Sequence, residues 1–183
     1  PGSGAHFDVD GRVNNQDDFG HVIDTVIKTR KKYQWVFLGA YPMPLKQYIT
    51  SGEIEFIPWM PLYDYPNAIK NIKPNILVAP LQDNTFNRAK SDLKYIEACA
   101  YGIPAICQDI DTYQNAPFKF STGEEMIDQI SATMKDKSTY MKISRAARKV
   151  ADGRWLENED NLGKYAELYN LAYADPQRLL LNK

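Results

Sequence analysis

The sequence predicts an α/β fold: a parallel sheet with helices on both faces and a helical C-terminal finish. Two patterns support this prediction. Over the first two-thirds of the chain, short apolar runs alternate with segments whose apolar residues recur at helical spacing, and this alternation is typical of a parallel sheet covered by helices. The last third shows helical patterns only, which indicates that closing helices follow the sheet.

The elements of the first two-thirds can be placed in order. Apolar residues from Phe19 to Ile27 recur at helical spacing and predict the first helix. A helix from Lys90 to Tyr101 is expected to end at Gly102. The predicted strands are residues 34–39, 53–58, 75–80 and 105–107, and the predicted intervening helices are 43–52 and 63–72.

The last third begins with a capping signal. Thr122 followed by Glu125 fits a capping box, in which each side chain bonds to a free backbone amide of the helix start. The helix should run from about Gly123 to Lys135. Further helices are predicted at Ser138–Ala151 and Glu157–Ala174.

Composition limits the class of protein. A chain of 183 residues that is 44% hydrophobic is expected to form a single domain over residues 1–183. The 22 basic and 23 acidic residues nearly cancel, so we expect no nucleic-acid partner. No apolar run approaches the roughly 20 residues that span a bilayer, so no transmembrane segment is expected. Cys99 and Cys107 are interpreted as buried thiols of a protein in the reducing, cytoplasmic compartment.

The helix predicted from Lys90 carries an unusual charge pattern. Lys90 and Lys94 are one turn apart on the predicted helix, so their charges repel each other. Cations near a helix start also oppose the helix dipole. An anion at this start would remove both penalties, because the free amides, the Ser91 hydroxyl and two ammonium groups could all donate to it. The alternative is an ordinary solvated face. The predicted polar stripe is Lys90, Lys94, Glu97 and Tyr101, and the predicted buried stripe is Leu93, Ile96 and Ala100.

Glu97 lies about two turns into this helix, too far from its start to share a phosphate. A carboxylate accepts two hydrogen bonds side by side, which suits the vicinal diol of a ribose. Phosphate donors at one end of a helix and a diol acceptor further along it predict a bound nucleoside diphosphate.

The segment "FNRAKSDLKYIEACAYGIPAIC", residues 86–107, resembles the donor-binding half of GT-B glycosyltransferases of the family-four-like group. Residues 53–81 resemble the preceding strand, helix and strand of that half, and "GSGAHFDVD", residues 2–10, resembles the turn after its first strand. This resemblance implies a Rossmann-like domain that binds a nucleotide-sugar as donor substrate, without cofactor or metal. It also implies a longer protein whose N-terminal acceptor-binding domain is absent here, so that this chain alone should transfer sugar poorly or not at all.

The resemblance also implies site residues. Glu97 matches the ribose-binding glutamate, and Lys90 and Lys94 match positions near the phosphates, where they are expected to aid catalysis. The remaining positions expected to contact the donor are Gly2, Ser3, Gly4, His6, Asn87 and Ser91. Many relatives carry a second glutamate eight positions before Glu97, but this chain has Ala89 there, so the usual acidic contact to the transferred sugar is missing.

Other motifs leave alternatives open. Trp59, Tyr63 and Tyr65 could stack on a nucleobase or pack between loop and helix. The triplets Asp8–Asp10 and Asp109–Asp111 have the D-x-D form of a metal motif, which we interpret as chance. A non-catalytic interaction or regulatory domain remains the second functional hypothesis. A dinucleotide-dependent oxidoreductase is disfavoured because no G-x-G-x-x-G follows a predicted strand.

Overall fold

The computed structural model describes residues 17–154 and 159–174, which form an α/β fold with parallel strands and flanking helices. The strands are β1 (Val36–Gly39), β2 (Glu55–Pro58), β3 (Leu77–Ala79), β4 (Ala105–Gln108) and β5 (Lys119–Phe120). The helices are α1 (Gly20–Thr29), α2 (Lys46–Thr50), α3 (Tyr65–Ile72), α4 (Thr85–Arg88), α5 (Leu93–Ala100), α6 (Gly123–Thr133), α7 (Lys137–Arg154) and α8 (Glu159–Ala174). Short 3-10 helices span Met43–Leu45 and Asp111–Tyr113. The predicted order of elements is therefore confirmed, and β5, α4 and the 3-10 helix Asp111–Tyr113 are additions.

The strands form two sheets where the sequence predicted one. The first sheet pairs β1 with β2, and the second has the order β3–β4–β5. The register places Val36 opposite Glu55 in the first sheet and Leu77 opposite Ala105 in the second. Within residues 17–154 no ladder of hydrogen bonds joins β1 to β3, because a cavity separates their edges.

Helices cover both faces of the larger sheet. Ile106 at the centre of β4 packs on one face against α1 and α6, through residues such as Val22 and Met126. Its neighbours Ala105 and Cys107 point to the other face and pack against α5, as alternation along a strand requires. Cys99 and Cys107 are both buried and free, as predicted, and burial raises the pKa of the Cys107 thiol to about 12.

The closing helices fix the end of α5. Gly102 follows α5 with a φ of +65°, a conformation that glycine adopts without strain. The Ser144 hydroxyl of α7 donates to the Gly102 carbonyl at 2.7 Å. At the start of α6, both bonds of the predicted capping box between Thr122 and Glu125 are present. Among the described residues, no helix combines the length and the apolar character needed to cross a membrane.

Thr122→Ala is expected to lower the free energy of unfolding by about 1 kcal/mol, because it removes the acceptor for the Glu125 amide. Chemical denaturation measures this change. Ser121→Ala is the matched control, since within the described chain its hydroxyl makes no hydrogen bond. Equal stability of the two variants would show that the capping box contributes nothing.

Candidate functional site

The candidate site is built on the segment between β3 and α5, at the carboxyl end of the larger sheet. Ligands of open α/β sheets bind in this position because strand ends lead there into loops and helix starts. The segment holds the short helix α4, whose N-cap Asn84 accepts a hydrogen bond from the Asn87 amide at 2.8 Å. A turn at Ala89 follows α4, and α5 starts only at Leu93.

A buried carboxylate, Asp18, organises this loop. Its side chain is fully buried, and its Oδ1 accepts hydrogen bonds from the Gln82 amide at 2.8 Å and from Asn87 Nδ2 at 2.6 Å. Asn87 Nδ2 also donates to the Gln82 carbonyl at 2.8 Å, and the Thr112 hydroxyl donates to the Asn87 carbonyl. These bonds tie the start of α1, the loop after β3 and the segment after β4 into one polar cluster.

Ion pairs at the surface also support the loop between β3 and α5. Arg88 binds both carboxylate oxygens of Asp83, at 2.7 and 2.8 Å, and donates to Asp111 Oδ2 at 2.9 Å. These side chains are largely exposed, so each ion pair contributes little stability. Their common effect is to fix the loop to the segment after β4.

The sequence prediction that Lys90 lies on the long helix is wrong. Lys90 lies three residues before α5, because Asn84 caps the separate helix α4. Lys90 Nζ is buried and makes no hydrogen bond among the described residues. It lies 3.8 Å from Asp18 Oδ2 and 4.9 Å from the centroid of the Phe86 ring. The ammonium group is thus paired with Asp18 beyond hydrogen-bond distance, so its donors remain available.

Lys94 lies in the first turn of α5 and is half-buried. Burial lowers the pKa of its ammonium group; the nearby Lys90 lowers it further, while Asp18 and Glu97 act in the opposite direction. Within the described residues, no ion pair joins Lys94 to Glu97. Lys94 is thus a partly desolvated cation at a helix start, where positive charge is intrinsically unfavourable.

Glu97 lies one turn further along α5 than Lys94 and is also half-buried. Because α5 starts at Leu93, Glu97 lies about one turn into the helix, and the prediction of two turns is wrong. The Tyr65 hydroxyl donates to its Oε2 at 3.4 Å, and burial raises the pKa of the Glu97 carboxyl. A carboxylate offers about four acceptor positions, and Tyr65 uses only one. Lys94 and Glu97 therefore do not form the solvated face that was the alternative interpretation.

The predicted buried stripe of this helix is shifted. Tyr95, Ala98 and Cys99 are the buried residues of α5, whereas Leu93 is 58% exposed. The segment has apolar residues on more than one side, and packing against β4 and α7 selects the side that is buried.

The start of α5 lacks a side-chain cap. Asp92 is the N-cap residue, but its side chain makes no hydrogen bond to the helix. It binds Arg154 of α7 instead, at 2.5 and 3.1 Å. The Tyr95 and Ile96 amides donate to the Asp92 carbonyl. The Leu93 and Lys94 amides at the very start of the helix receive no side-chain cap and could donate to another acceptor.

The other predicted residues divide into two groups. Gly2, Ser3, Gly4, His6, Asp8 and Asp10 lie outside the described residues. Asn87 is fully buried with its amide bonded to Asp18 and Gln82, so the structure gives it a positioning role, and contact with a ligand stays a prediction. Ser91 is exposed beside Lys90.

The aromatic residues after β2 are mostly unpacked. Trp59 and Tyr63 are 73% and 89% exposed, so the packing interpretation is wrong for these two. Tyr65 is half-buried and bonded to Glu97.

The second D-x-D triplet is engaged in ion pairs. Asp109 lies 3.2 Å from Lys119 Nζ, and Asp111 binds Arg88. Among the described residues, no group of three or more His, Cys, Asp or Glu side chains has the spacing to hold a metal.

Sequence reasoning missed Asp18 and the Asp92–Arg154 pair. The partners of Asp18 lie 64 and 69 residues away along the chain, so no local pattern marks it. Comparison of the chain with protein-family models, with curated proteins and with solved structures gives no match.

Asp18→Ala is expected to lower the free energy of unfolding by roughly 1–3 kcal/mol, because it leaves buried donors of Gln82 and Asn87 without an acceptor. Asp18→Asn keeps an acceptor oxygen, so its free energy of unfolding should fall by less. Denaturant titration measures both, with Asp128→Asn on the exposed side of α6 as control. A loss no greater than that of the control would contradict the organising role of Asp18.

Lys94→Met is expected to raise the free energy of unfolding at neutral pH by about 0.5–2 kcal/mol, the usual yield of a stabilising substitution. The pKa of Lys94 is lower in the folded chain than its ordinary value of 10.5, so the unfolded chain holds this proton more tightly. Wild-type stability should therefore rise as pH increases through the lowered pKa towards 10.5, and the advantage of Lys94→Met should shrink over the same range. Urea denaturation at several pH values tests this, with the exposed Lys70→Met as control. A destabilised Lys94→Met at pH 7 would show that the ammonium group is well compensated.

Proposed function

We propose that the chain is the nucleotide-sugar-binding half of a GT-B glycosyltransferase, a hexosyltransferase-type enzyme, and that it binds the donor across the start of α5. The observation that carries this proposal is the pair of lysines at one helix start. The Lys90 ammonium is buried without a hydrogen bond to any described residue, and Lys94 is partly desolvated. A folded chain maintains such unfavourable charges most simply when a ligand compensates them.

The ligand must bring negative charge to this position. A diphosphate would accept hydrogen bonds from both ammonium groups and from the uncapped amides of α5. Glu97 then provides the acceptor for the ribose hydroxyls, with Tyr65 holding its carboxylate. The order along the chain, with Lys90 before α5, Lys94 in its first turn and Glu97 one turn later, is the order that a nucleoside diphosphate with its phosphates at the helix start requires.

The same groups account for the chemistry. When the glycosidic bond of the donor breaks, negative charge grows on the leaving diphosphate. Lys90 and Lys94 stabilise that charge as it develops, which lowers the barrier. In this proposal the acceptor substrate is bound by the N-terminal domain of the full-length protein, and the isolated chain binds the donor without efficient transfer.

A non-catalytic interaction domain is the second candidate, and the exposed apolar side chains after β2 favour it. Trp59, Leu62 and Tyr63 are each more than 70% exposed in one short loop, and exposed apolar patches often mark binding surfaces for partners. Such a domain has no need of a nucleotide, so ligand binding separates the two candidates.

We expect the folded chain to bind one of UDP, GDP and ADP in calorimetry, and to bind NAD more weakly. Lys90→Ala and Lys94→Ala should each weaken the binding by about tenfold or more, since a hydrogen bond to a charged group contributes about 1.5–3 kcal/mol. Binding should also weaken as salt increases. Lys70→Ala on the exposed side of α3 is the matched control.

Inorganic pyrophosphate divides the site into its two parts. Glu97→Ala should weaken the binding of the nucleoside diphosphate but leave the binding of pyrophosphate unchanged. Lys94→Ala should weaken the binding of both. Failure of the folded chain to bind any of these nucleotides at millimolar concentration would contradict the proposed function.

A further inference from the structure

Helix α7 has one side that packs against the rest of the fold. The Tyr140 hydroxyl donates to the Asn75 carbonyl at 3.1 Å. The Ser144 hydroxyl donates to the Gly102 carbonyl at 2.7 Å, and Ala151 is buried in the largest apolar cluster. These three residues of α7 fall at i, i+4 and i+11, which is one side of a helix. The opposite side therefore faces away from the fold.

The outward side of α7 is basic. Four of its exposed residues are cations, and an apolar side chain that is 39% exposed lies among them. We call these residues the basic face of α7, and they are Lys137, Met141, Lys142, Arg145 and Lys149.

The basic face has no acidic counterpart. Of the 22 basic and 23 acidic residues of the chain, five basic and no acidic ones fall in residues 137–149, which leaves 17 basic and 23 acidic residues elsewhere. The acidic residues on either side are engaged, since Asp136 accepts hydrogen bonds from Thr139 and Asp152 lies 3.0 Å from Arg148. None of the four cations of the basic face forms an ion pair within the described residues.

The cations of the basic face also repel one another. Lys142, Arg145 and Lys149 fall at i, i+3 and i+7, so their charges are neighbours on the helix surface. An anionic partner against this face would offset the repulsion, because each cation would then lie close to a negative charge.

We propose that the basic face of α7 binds the surface of an anionic lipid bilayer, with the axis of α7 parallel to that surface. The chain is then a peripheral membrane protein. This inference goes beyond the proposed function and does not depend on nucleotide binding.

The shape of the basic face favours a flat partner. The space above it is lined by residues between Lys137 and Lys149, all of them on α7, and by no other element of the described chain. An acidic peptide usually binds in a groove or along a strand edge, and a small ligand in a concave site, each of which needs a second wall. The face extends about 18 Å along the helix axis, too far for one phosphate group to reach all its cations.

Met141 favours a bilayer over a nucleic acid. Lysine and arginine side chains can hold their charges at the lipid phosphates while a neighbouring apolar side chain enters the headgroup region. Proteins that bind single-stranded nucleic acid usually place aromatic side chains among the cations, so that bases stack on them. The basic face has no aromatic residue, and Tyr140 of α7 is bonded to the fold instead.

The charge of the rest of the chain sets the orientation. Outside residues 137–149, acidic residues exceed basic ones, so an anionic bilayer repels the rest of the chain on average. Attraction by a cluster of basic residues acts only within about a Debye length of the bilayer. The bound chain should therefore contact the bilayer through α7.

Cosedimentation with lipid vesicles tests the proposal. At about 0.15 M salt, the chain should bind vesicles of equal parts phosphatidylglycerol and phosphatidylcholine, and should not bind vesicles of phosphatidylcholine alone. The triple variant Lys142→Gln, Arg145→Gln, Lys149→Gln should bind the anionic vesicles at least about tenfold more weakly, because each basic residue near an anionic surface contributes roughly fivefold.

The matched control removes the same charge from other helices. Lys28→Gln, Lys46→Gln and Lys70→Gln, combined in one variant, change exposed residues of α1, α2 and α3. This variant has the same net charge as the α7 variant and should keep the wild-type affinity for anionic vesicles. Equal losses in the two triple variants would show that net charge alone drives binding, and the proposal would be wrong.

Polyglutamate and single-stranded DNA serve as the competing anionic partners. A folded wild-type chain that fails to bind the anionic vesicles overturns the proposal. If that chain instead binds polyglutamate or DNA, and the α7 triple variant does not, the basic face recognises an acidic polypeptide or a nucleic acid.

Discussion

The buried carboxylate of Asp18 is the constraint on which the candidate site depends. It accepts hydrogen bonds from the Gln82 amide and from Asn87, and so joins the start of α1 to the loop after β3. A buried charge is tolerated only when hydrogen bonds and an opposite charge compensate it. The Lys90 ammonium at 3.8 Å supplies that charge, so the same interaction that folds the loop also brings a cation to the start of α5.

The other two charged groups of the candidate site, Lys94 and Glu97, lower the stability of the fold. Burial lowers the pKa of Lys94 and raises the pKa of Glu97, which means that the surroundings disfavour the charged form of each group. Residues selected only for folding would avoid this arrangement. Their position along one helix, next to uncapped amides, supports the proposed donor site.

Local signals in the sequence were sufficient to place most elements. The Thr122 capping box and the stop at Gly102 were predicted correctly because each depends on residues close in sequence. The start of α5 was predicted three residues too early, because the turn that follows the Asn84-capped helix α4 extends past Lys90. Asp18 could not be predicted, since its importance comes from partners more than 60 residues away.

The division of the sheet and the position of the site have a common origin in chain order. α1, which leads into β1, lies on one face of the larger sheet, and α5, which follows β3, lies on the other. The connections on the two sides of the gap between β1 and β3 therefore lie on opposite faces. In doubly wound folds such a junction is where loops separate and leave a crevice for a ligand. Lys94 lines the cavity at this junction together with Pro80 at the end of β3. The gap between the two sheets therefore opens beside Lys94, which is one of the two lysines of the proposed donor site.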